Sequence, residues 1–143
     1  MPKLVALNRS VDVDGVDLAN FASAVSYQSE HERVPASGFN LTGASEFLAG
    51  ETVQSVTVTF FGSYGTGEVH QTLYPIHKNR EIVEFGSKPF MGTAVAADNP
   101  EIRGNVQLLT YSPESTRGDA ESFSVEFVAA DPNGIWIYDV AAP

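Results

Sequence analysis

The segment from 51 to 88 constrains the fold more than any other part of the sequence, because it places one short helix between two strands. Apolar residues alternate with threonine in the first predicted strand, at Val56, Val58 and Phe60. An apolar stripe with helical spacing follows, at Val69, Leu73 and Ile76. A lone short helix cannot bury its stripe by itself and must pack on a sheet. The pattern therefore predicts a mainly β fold with one flanking helix.

The predicted helix covers residues 66–77, with Thr66 as its N-cap and Glu68 in its first turn. Pro75 is expected to kink or end it near Tyr74. The glycine-rich stretch 62–67 invites a phosphate-loop interpretation. That loop needs a Lys after its last glycine, and Glu68 stands there instead. We therefore read the stretch as a turn that leads into the helix.

Other strands are predicted on both sides of this segment. Their expected ranges are 24–33, 81–85, from 102 onward, 123–127 and 135–140. Asp14-Gly15 between alternating apolar residues predicts a hairpin. The nearby aspartates also suggest a calcium loop. However, Asp17 and Ser23 occupy the positions at which an EF-hand, counted from Asp12, needs Gly and Glu.

Length and composition limit the class of protein. The 143 residues predict a single domain, 1–143, with a core of useful size. No cysteine is present, which excludes disulfides and thiolate chemistry. The formal net charge of −10 argues against a surface that binds nucleic acid, although it suits one past which DNA slides. We see neither a secretory signal nor an apolar stretch of membrane-spanning length, and we expect no membrane partner.

The stretch 34–50 is the least regular part of the sequence and is predicted to be a long projecting loop. It contains one proline, at 35, and three glycines, at 38, 43 and 50, yet it also carries four large apolar residues: Phe39, Leu41, Phe47 and Leu48. Loops of this length are uncommon in compact domains and are usually functional or mobile. The four side chains either cap the domain's own sandwich or bury against another subunit. We take them as candidate subunit-interface residues.

The sequence offers no catalytic constellation. Nucleophile elbows, zinc-binding helix motifs and dinucleotide fingerprints are missing, and Asp and Glu occur singly at turns or on polar strand faces. His31, His70 and His77 read as ordinary surface histidines. Carboxylate pairs from distant strands stay open at this point. We expect a structural or binding protein rather than an enzyme, with no catalytic residue, no cofactor and no metal.

The order of elements resembles the tail tube, or major tail, proteins of long-tailed bacteriophages. The segments that carry the resemblance are 16–25, 30–37, 47–50, 51–61, the helix at 68–76, Lys88-Pro89, Asn99-Pro100 and the turn 117–119 before 123–127. Together they cover most of the chain, and the ordered series is more specific than any one of them. The stretch 37–40 departs from the threonine-rich start usual in that family, and the acidic segment 12–17 has no counterpart there.

The resemblance implies a β-sandwich or barrel whose copies form hexameric rings. The rings would stack into a hollow tube, with inner strands of neighbours joined into one barrel. The implied partners are the chain itself, the tape measure and tail terminator proteins, and genomic DNA that passes without specific binding. The implied location is the virion tail, after assembly in the host cytoplasm. Part of the negative charge is expected to face the lumen.

Two alternatives stay open. A head-decoration or tail-completion protein could share the sandwich without forming a tube. A carbohydrate-binding or adhesion module would need an exposed aromatic platform, for which the candidates are Tyr64, Tyr111, Trp136 and Tyr138. Each of these aromatic residues also fits ordinary core or interface packing.

Overall fold

The computed structural model describes residues 8–36, 47–90 and 92–139, except for the side chain of Phe47. These ranges form eight β-strands and one α-helix: β1 (Asp12–Val13), β2 (Val16–Asp17), β3 (Ala22–Pro35), β4 (Phe47–Phe61), α1 (Val69–Asn79), β5 (Ile82–Ser87), β6 (Glu101–Glu114), β7 (Ser122–Ala129) and β8 (Ile135–Tyr138). Among them, no helix is long and apolar enough to cross a membrane.

All of the strand pairs are antiparallel. The strands follow the order β2-β1-β5-β6-β7-β4-β3, and β8 pairs with β6 outside this path. Strand β6 belongs to both halves of the structure. Its first part lies between β5 and β8, and its part from Val106 onward pairs with β7. The four strands β6, β7, β4 and β3 form one half, which we call the four-stranded wall.

The core lies between the two halves of this folded sheet. Alternate residues of the wall point inward and are fully buried: Val56, Val58, Phe60, Phe123, Val125 and Phe127. Residues of the other half join the same cluster, and the rings of Phe85 and Phe127 are 5.3 Å apart. This arrangement confirms the predicted mainly β sandwich or barrel with one flanking helix.

Helix α1 packs its predicted stripe into the core, because Val69, Leu73 and Ile76 are all buried. Its bounds differ from the predicted 66–77. The N-cap is Glu68, not Thr66, and the Glu68 carboxylate accepts hydrogen bonds from the Ser63 hydroxyl and the Gly65 amide. The helix also continues past Pro75 to Asn79. The proline is exposed, so the buried residues on either side of it hold the helix together despite one missing backbone donor.

The hairpin at Asp14-Gly15 is confirmed, with both residues at positive φ. The expected 34–50 loop is partly wrong, because strands occupy both of its ends. Strand β3 runs to Pro35, and β4 begins at Phe47. The register holds to that point, with Val34 opposite Leu48. The sequence hides this because Gly50 and Pro35 look like turn residues.

Candidate subunit interface

A two-stranded arm extends from the four-stranded wall. It consists of residues 28–35 of β3 and 47–54 of β4, which pair with each other. Strand β7 pairs with β4 only as far as Ser55, so no described strand flanks the arm on either side. Every described residue of 28–35 is exposed. Since an isolated two-stranded ribbon is marginally stable in water, the arm is a segment that gains from a partner.

One face of the arm carries an apolar patch formed by Val34, Leu48 and Val53. Val34 is opposite Leu48, and the residue opposite Val53 is Glu30. The exposed fractions are 39% for Val34, 65% for Leu48 and 66% for Val53. Three exposed branched side chains that lie together on a solvent-exposed two-stranded ribbon are typical of a contact surface rather than of a solvated strand.

The arm is fixed at its root by a buried polar clamp. Gln54 is only 5% exposed, and its Oε1 accepts a hydrogen bond of 2.8 Å from the amide of Ile135. The Tyr27 hydroxyl donates to the carbonyl of Ile135 at 2.6 Å and accepts from Gln54 Nε2 at 3.3 Å. The direction in which the arm leaves the wall is therefore set by β8.

The structure places one of the four candidate interface residues. Leu48 lies on the arm and is exposed, as an interface residue must be in a single subunit. Phe39, Leu41 and the side chain of Phe47 lie outside the described residues. Sequence reasoning missed Val34 and Val53. The sequence does carry one signal for Val53. It is an apolar residue that the strand alternation places on the face opposite the buried Val56 and Val58.

Within the described part of the chain, both margins of the four-stranded wall lack a neighbouring strand. The outer edge of β3 has no strand beside it within the described ranges. On the other margin, β5 pairs with β6 only up to Gln107, so the following residues of β6 pair with β7 alone. Unpaired strand edges expose backbone donors and acceptors that can bind another chain.

The face of the wall that points away from the core is rich in hydroxyl groups. The hydroxyl-bearing residues that share it are Ser26, Ser55, Thr57, Thr59, Thr110, Ser112, Ser122 and Ser124, and the apolar Phe61 and Val128 lie on the same face. Its charged residues are Glu114 and Glu126. Over the paired part of the wall (22–28, 55–61, 107–114 and 122–128), no Lys or Arg stands on any of the four strands. The face is therefore polar, and its formal charge is negative.

A groove runs between the C-terminal end of α1 and the bulged part of β6, and we call it the α1–β6 groove. Its volume is about 620 Å³, and its lining comprises Tyr74, His77, Lys78, Arg80, Gln107, Leu108 and Leu109. Arg80 follows the helix in the left-handed conformation, and its carbonyl accepts a hydrogen bond of 3.1 Å from Gln107 Nε2. The side chains of Lys78 and Arg80 are exposed and form no salt bridge with the described part of the chain.

The aromatic residues considered for carbohydrate binding lie in two separate places. Tyr64 and Tyr111 each contact Phe123 at ring distances of 5.5 Å. The Tyr111 hydroxyl is 2.7 Å from His70 Nδ1. Burial raises the pKa of Tyr111 to about 12. Trp136 and Tyr138 lie on β8, and no ring contact in the described ranges joins them to the first pair. The four side chains do not form one platform.

The most buried charges serve the packing between β5 and β6. Arg103 forms ion pairs with Glu84 and Glu101, and Glu101 is nearly buried. Burial raises the pKa values of Glu101 and Asp12. Within 8–36, 47–90 and 92–139, no three His, Asp or Glu residues are grouped so that they could hold a metal ion.

Solved tail structures share this fold. A chain of the C6-symmetric tail of an empty gene transfer agent particle matches with a TM-score of 0.70 at 15% identity, over 95% of this chain and 96% of that chain. A chain of the native gene transfer agent virion gives 0.71 at 14% identity, over 94% and 96%. The SPP1 tail tube gives 0.66 at 12% identity, over 94% and 77%.

The sequence matches no protein-family profile and no curated protein. At 12–15% identity, the likeness to the solved structures is one of backbone fold. This likeness covers nearly the whole chain and includes both the four-stranded wall and helix α1. The chain has the fold found in the tail of a gene transfer agent and in the SPP1 tail tube.

Proposed function

We propose that this protein is a tail tube subunit, which assembles into hexameric rings that stack into a hollow tube for DNA. The observation that carries the proposal is the pair of unpaired margins on the four-stranded wall, on β3 and on β6. A closed ring of copies removes both margins at once, because each copy supplies the strand that its neighbour lacks. The C6 symmetry of one matching tail supports six copies in the ring.

The strand directions suit this closure. Each of the three steps from β3 to β6 through β4 and β7 is antiparallel, so β3 and β6 run in opposite directions. Copies related by rotation about the tube axis keep the same orientation. The β3 edge of one copy therefore meets the β6 edge of the next as an antiparallel pair. Six copies of the four-stranded wall give one closed antiparallel barrel.

We assign the lumen to the hydroxyl-rich face of the wall. DNA carries about one negative charge per 1.7 Å of its axis and binds proteins mainly through Lys and Arg. A face with serine, threonine and a few carboxylates gives DNA no cation to bind, and it repels the phosphates weakly. The six-fold repeat of Glu114 and Glu126 would make two acidic rings along the channel.

The arm is then available for contacts beyond the barrel. Its apolar patch of Val34, Leu48 and Val53 would bury against a neighbouring subunit or the next ring, together with Phe39, Leu41 and Phe47. Under this proposal the protein acts without catalysis or a cofactor. Its partners are its own copies first, and then the tape measure and terminator proteins of a virion tail.

Electron microscopy of the concentrated protein tests the proposal. We expect rings or tubes with six-fold symmetry in negative stain, and a sedimenting fraction that grows with protein concentration. A crowding polymer such as polyethylene glycol should lower the concentration needed. A protein that remains monomeric under all of these conditions would contradict the proposal. A monomer that bound glycans would support the carbohydrate-binding alternative instead.

A further inference from the structure

We propose that the α1–β6 groove of each subunit receives the root of the neighbouring subunit's arm, where Glu30 and Glu32 pair with Lys78 and Arg80. The inference rests on the proposed function, since it concerns the contact between adjacent copies in a ring.

The position of the groove follows from the strand register. Gln28, Ser55, Val128 and Gln107 form one row across the wall, from the β3 margin to the β6 margin. We take the row of one copy to continue into the row of the next, apart from the stagger that closes a barrel. Gln28 of one copy then lies near the level of Gln107 in its neighbour. This is the level at which the groove opens.

The arm begins at that level. Beyond Gln28, β3 continues as the arm, and its next carboxylates are Glu30 and Glu32, both exposed. In the neighbouring copy, the pairing of β5 with β6 stops at Gln107. Arg80 lies just before β5 in the chain, and its carbonyl accepts a hydrogen bond from Gln107. The acidic root of the arm and the basic end of α1 are therefore placed beside each other at the margin where the two copies meet.

The chemistry of the two surfaces is complementary. The protein has only 8 basic residues against 18 acidic ones, yet Lys78 and Arg80 stand two positions apart on the groove. Tyr74 and Leu109 add exposed apolar surface to the same groove. An acidic strand with branched apolar residues, which the arm supplies, fits this lining. A second copy of this chain is therefore the occupant that the charge distribution favours.

Cysteine cross-linking provides a direct test, because the chain contains no cysteine. Glu30→Cys and Arg80→Cys are made in separate chains, mixed, assembled and oxidised. Within one subunit these positions lie at opposite margins of the wall, and the margins are three strand steps, or about 14 Å, apart at roughly 4.8 Å per strand. A disulfide needs Cα atoms within about 7 Å, so it can form only between copies. We expect a cross-linked dimer from the mixture.

A chain that carries both Glu30→Cys and Arg80→Cys should give a ladder of oligomers that ends at six. The matched control combines Glu30→Cys with Gln71→Cys, which lies on the same helix about 13 Å from Arg80. We expect less than a tenth of the cross-linking from the control. Equal cross-linking of both pairs, or none from Glu30 and Arg80 in assembled protein, would overturn the inference.

Charge exchange gives an independent readout. Lys78→Glu with Arg80→Glu should reduce sedimenting assembly at least tenfold, and Glu30→Lys with Glu32→Lys should do the same. The fourfold variant, with the charges exchanged, should recover assembly to within about threefold of the parent. Circular dichroism establishes that each variant is folded. Failure of the fourfold variant to recover, or normal assembly of either double variant, would count against the contact.

The two levels of proposal fail in different ways. If the parent protein forms six-fold rings but the cysteine pair and the exchanged charges behave as their controls, the arm binds elsewhere and the tube proposal stands. If the parent forms no rings or tubes, the tube proposal fails and this contact fails with it.

Discussion

The amide of Ile135 donates a hydrogen bond of 2.8 Å to the side-chain oxygen of Gln54, a residue 81 positions earlier in the chain. This bond joins the root of the arm to the first residue of β8. We expect Gln54→Leu to lower the free energy of unfolding by about 1–3 kcal/mol, because it leaves a buried amide without an acceptor. Urea unfolding followed by tryptophan fluorescence measures the change.

Gln28→Leu is the matched control for this substitution, since Gln28 is on the same hairpin but exposed. It should change stability by less than about 0.5 kcal/mol. A Gln54→Leu protein as stable as the Gln28→Leu protein would show that water or another group replaces the lost acceptor.

The apolar patch on the arm leads to a second prediction. Leu48→Asp together with Val53→Asp should leave a folded monomer that does not assemble, because both side chains are largely exposed in the subunit. Thermal unfolding should shift by only a few degrees, while sedimentation should show loss of polymer. The conservative pair Leu48→Met and Val53→Ile should assemble. An Asp variant that assembles normally would remove the patch from the interface.

Phe39→Asp together with Leu41→Asp tests the part of the predicted 34–50 loop that lies outside the described residues. We expect the same outcome, a folded monomer that does not polymerise. A variant that unfolds would instead assign Phe39 and Leu41 to the core of the subunit. Circular dichroism and sedimentation distinguish the two results.

The lumen assignment predicts a gain of DNA binding. Thr57→Lys places a cation on the outward face of the wall, and six-fold symmetry would make it a ring of six charges inside the tube. Tubes assembled with short duplex DNA should retain it at low salt, release it at high salt and protect it from nuclease. Gln71→Lys, on exposed α1, should bind DNA without protecting it. Equal nuclease sensitivity in both variants would place Thr57 outside the lumen.

The half-buried phenol of Tyr111 predicts a loss of stability at high pH. Burial raises its pKa from 10.0 to about 12 in the folded protein, so the unfolded chain loses this proton first. The stabilisation is complete below pH 10 and is lost as pH rises toward 12. Urea unfolding between pH 9 and about 12 should show this decline, and Tyr111→Phe should make it shallower. An unchanged slope for Tyr111→Phe would contradict the assignment.

Arg80 offers a prediction in which stability and assembly change in opposite directions. It ends α1 in the left-handed conformation, with φ of 56°, which costs a residue with a side chain about 1 kcal/mol relative to glycine. Arg80→Gly should therefore raise the free energy of unfolding by up to about 1 kcal/mol. The same variant should assemble less well, because it lacks a cation of the α1–β6 groove. If the Arg80→Gly variant is more stable and also assembles as well as the parent, only Lys78 is left as a basic contact in the α1–β6 groove.

Much of the fold was predictable because burial leaves a periodic trace in the sequence. The stripe of Val69, Leu73 and Ile76 and the alternation at Val56, Val58 and Phe60 both come from one-sided contact with the core. The outer end of the arm could not be predicted in this way. The predicted strand 24–33 already contains Glu30 and Glu32, but the pairing of Val34 with Leu48 beyond it was missed, because exposed residues there carry no one-sided period that distinguishes a strand from a loop.

The interface was predictable only as a composition. Large apolar residues in a loop-like stretch pointed to Leu48 as a proposed interface residue, but the unpaired margin of β6 and the free side of the arm depend on where β5 and β7 stop pairing. That is a property of the whole sheet and not of any local window. The helix end was missed for a related reason. Pro75 normally breaks helices, yet core packing of Leu73 and Ile76 on either side outweighs one lost hydrogen bond.

Strand β6 is a continuous run of 14 residues that serves both halves of the folded sheet. A hinge needs a few residues at which two bodies can rotate, and here the junction between the halves is the middle of a hydrogen-bonded strand. Each subunit should thus behave as one rigid body. Any curvature of a filament built from such subunits has to arise at the contacts between subunits, which can shift without breaking the strand.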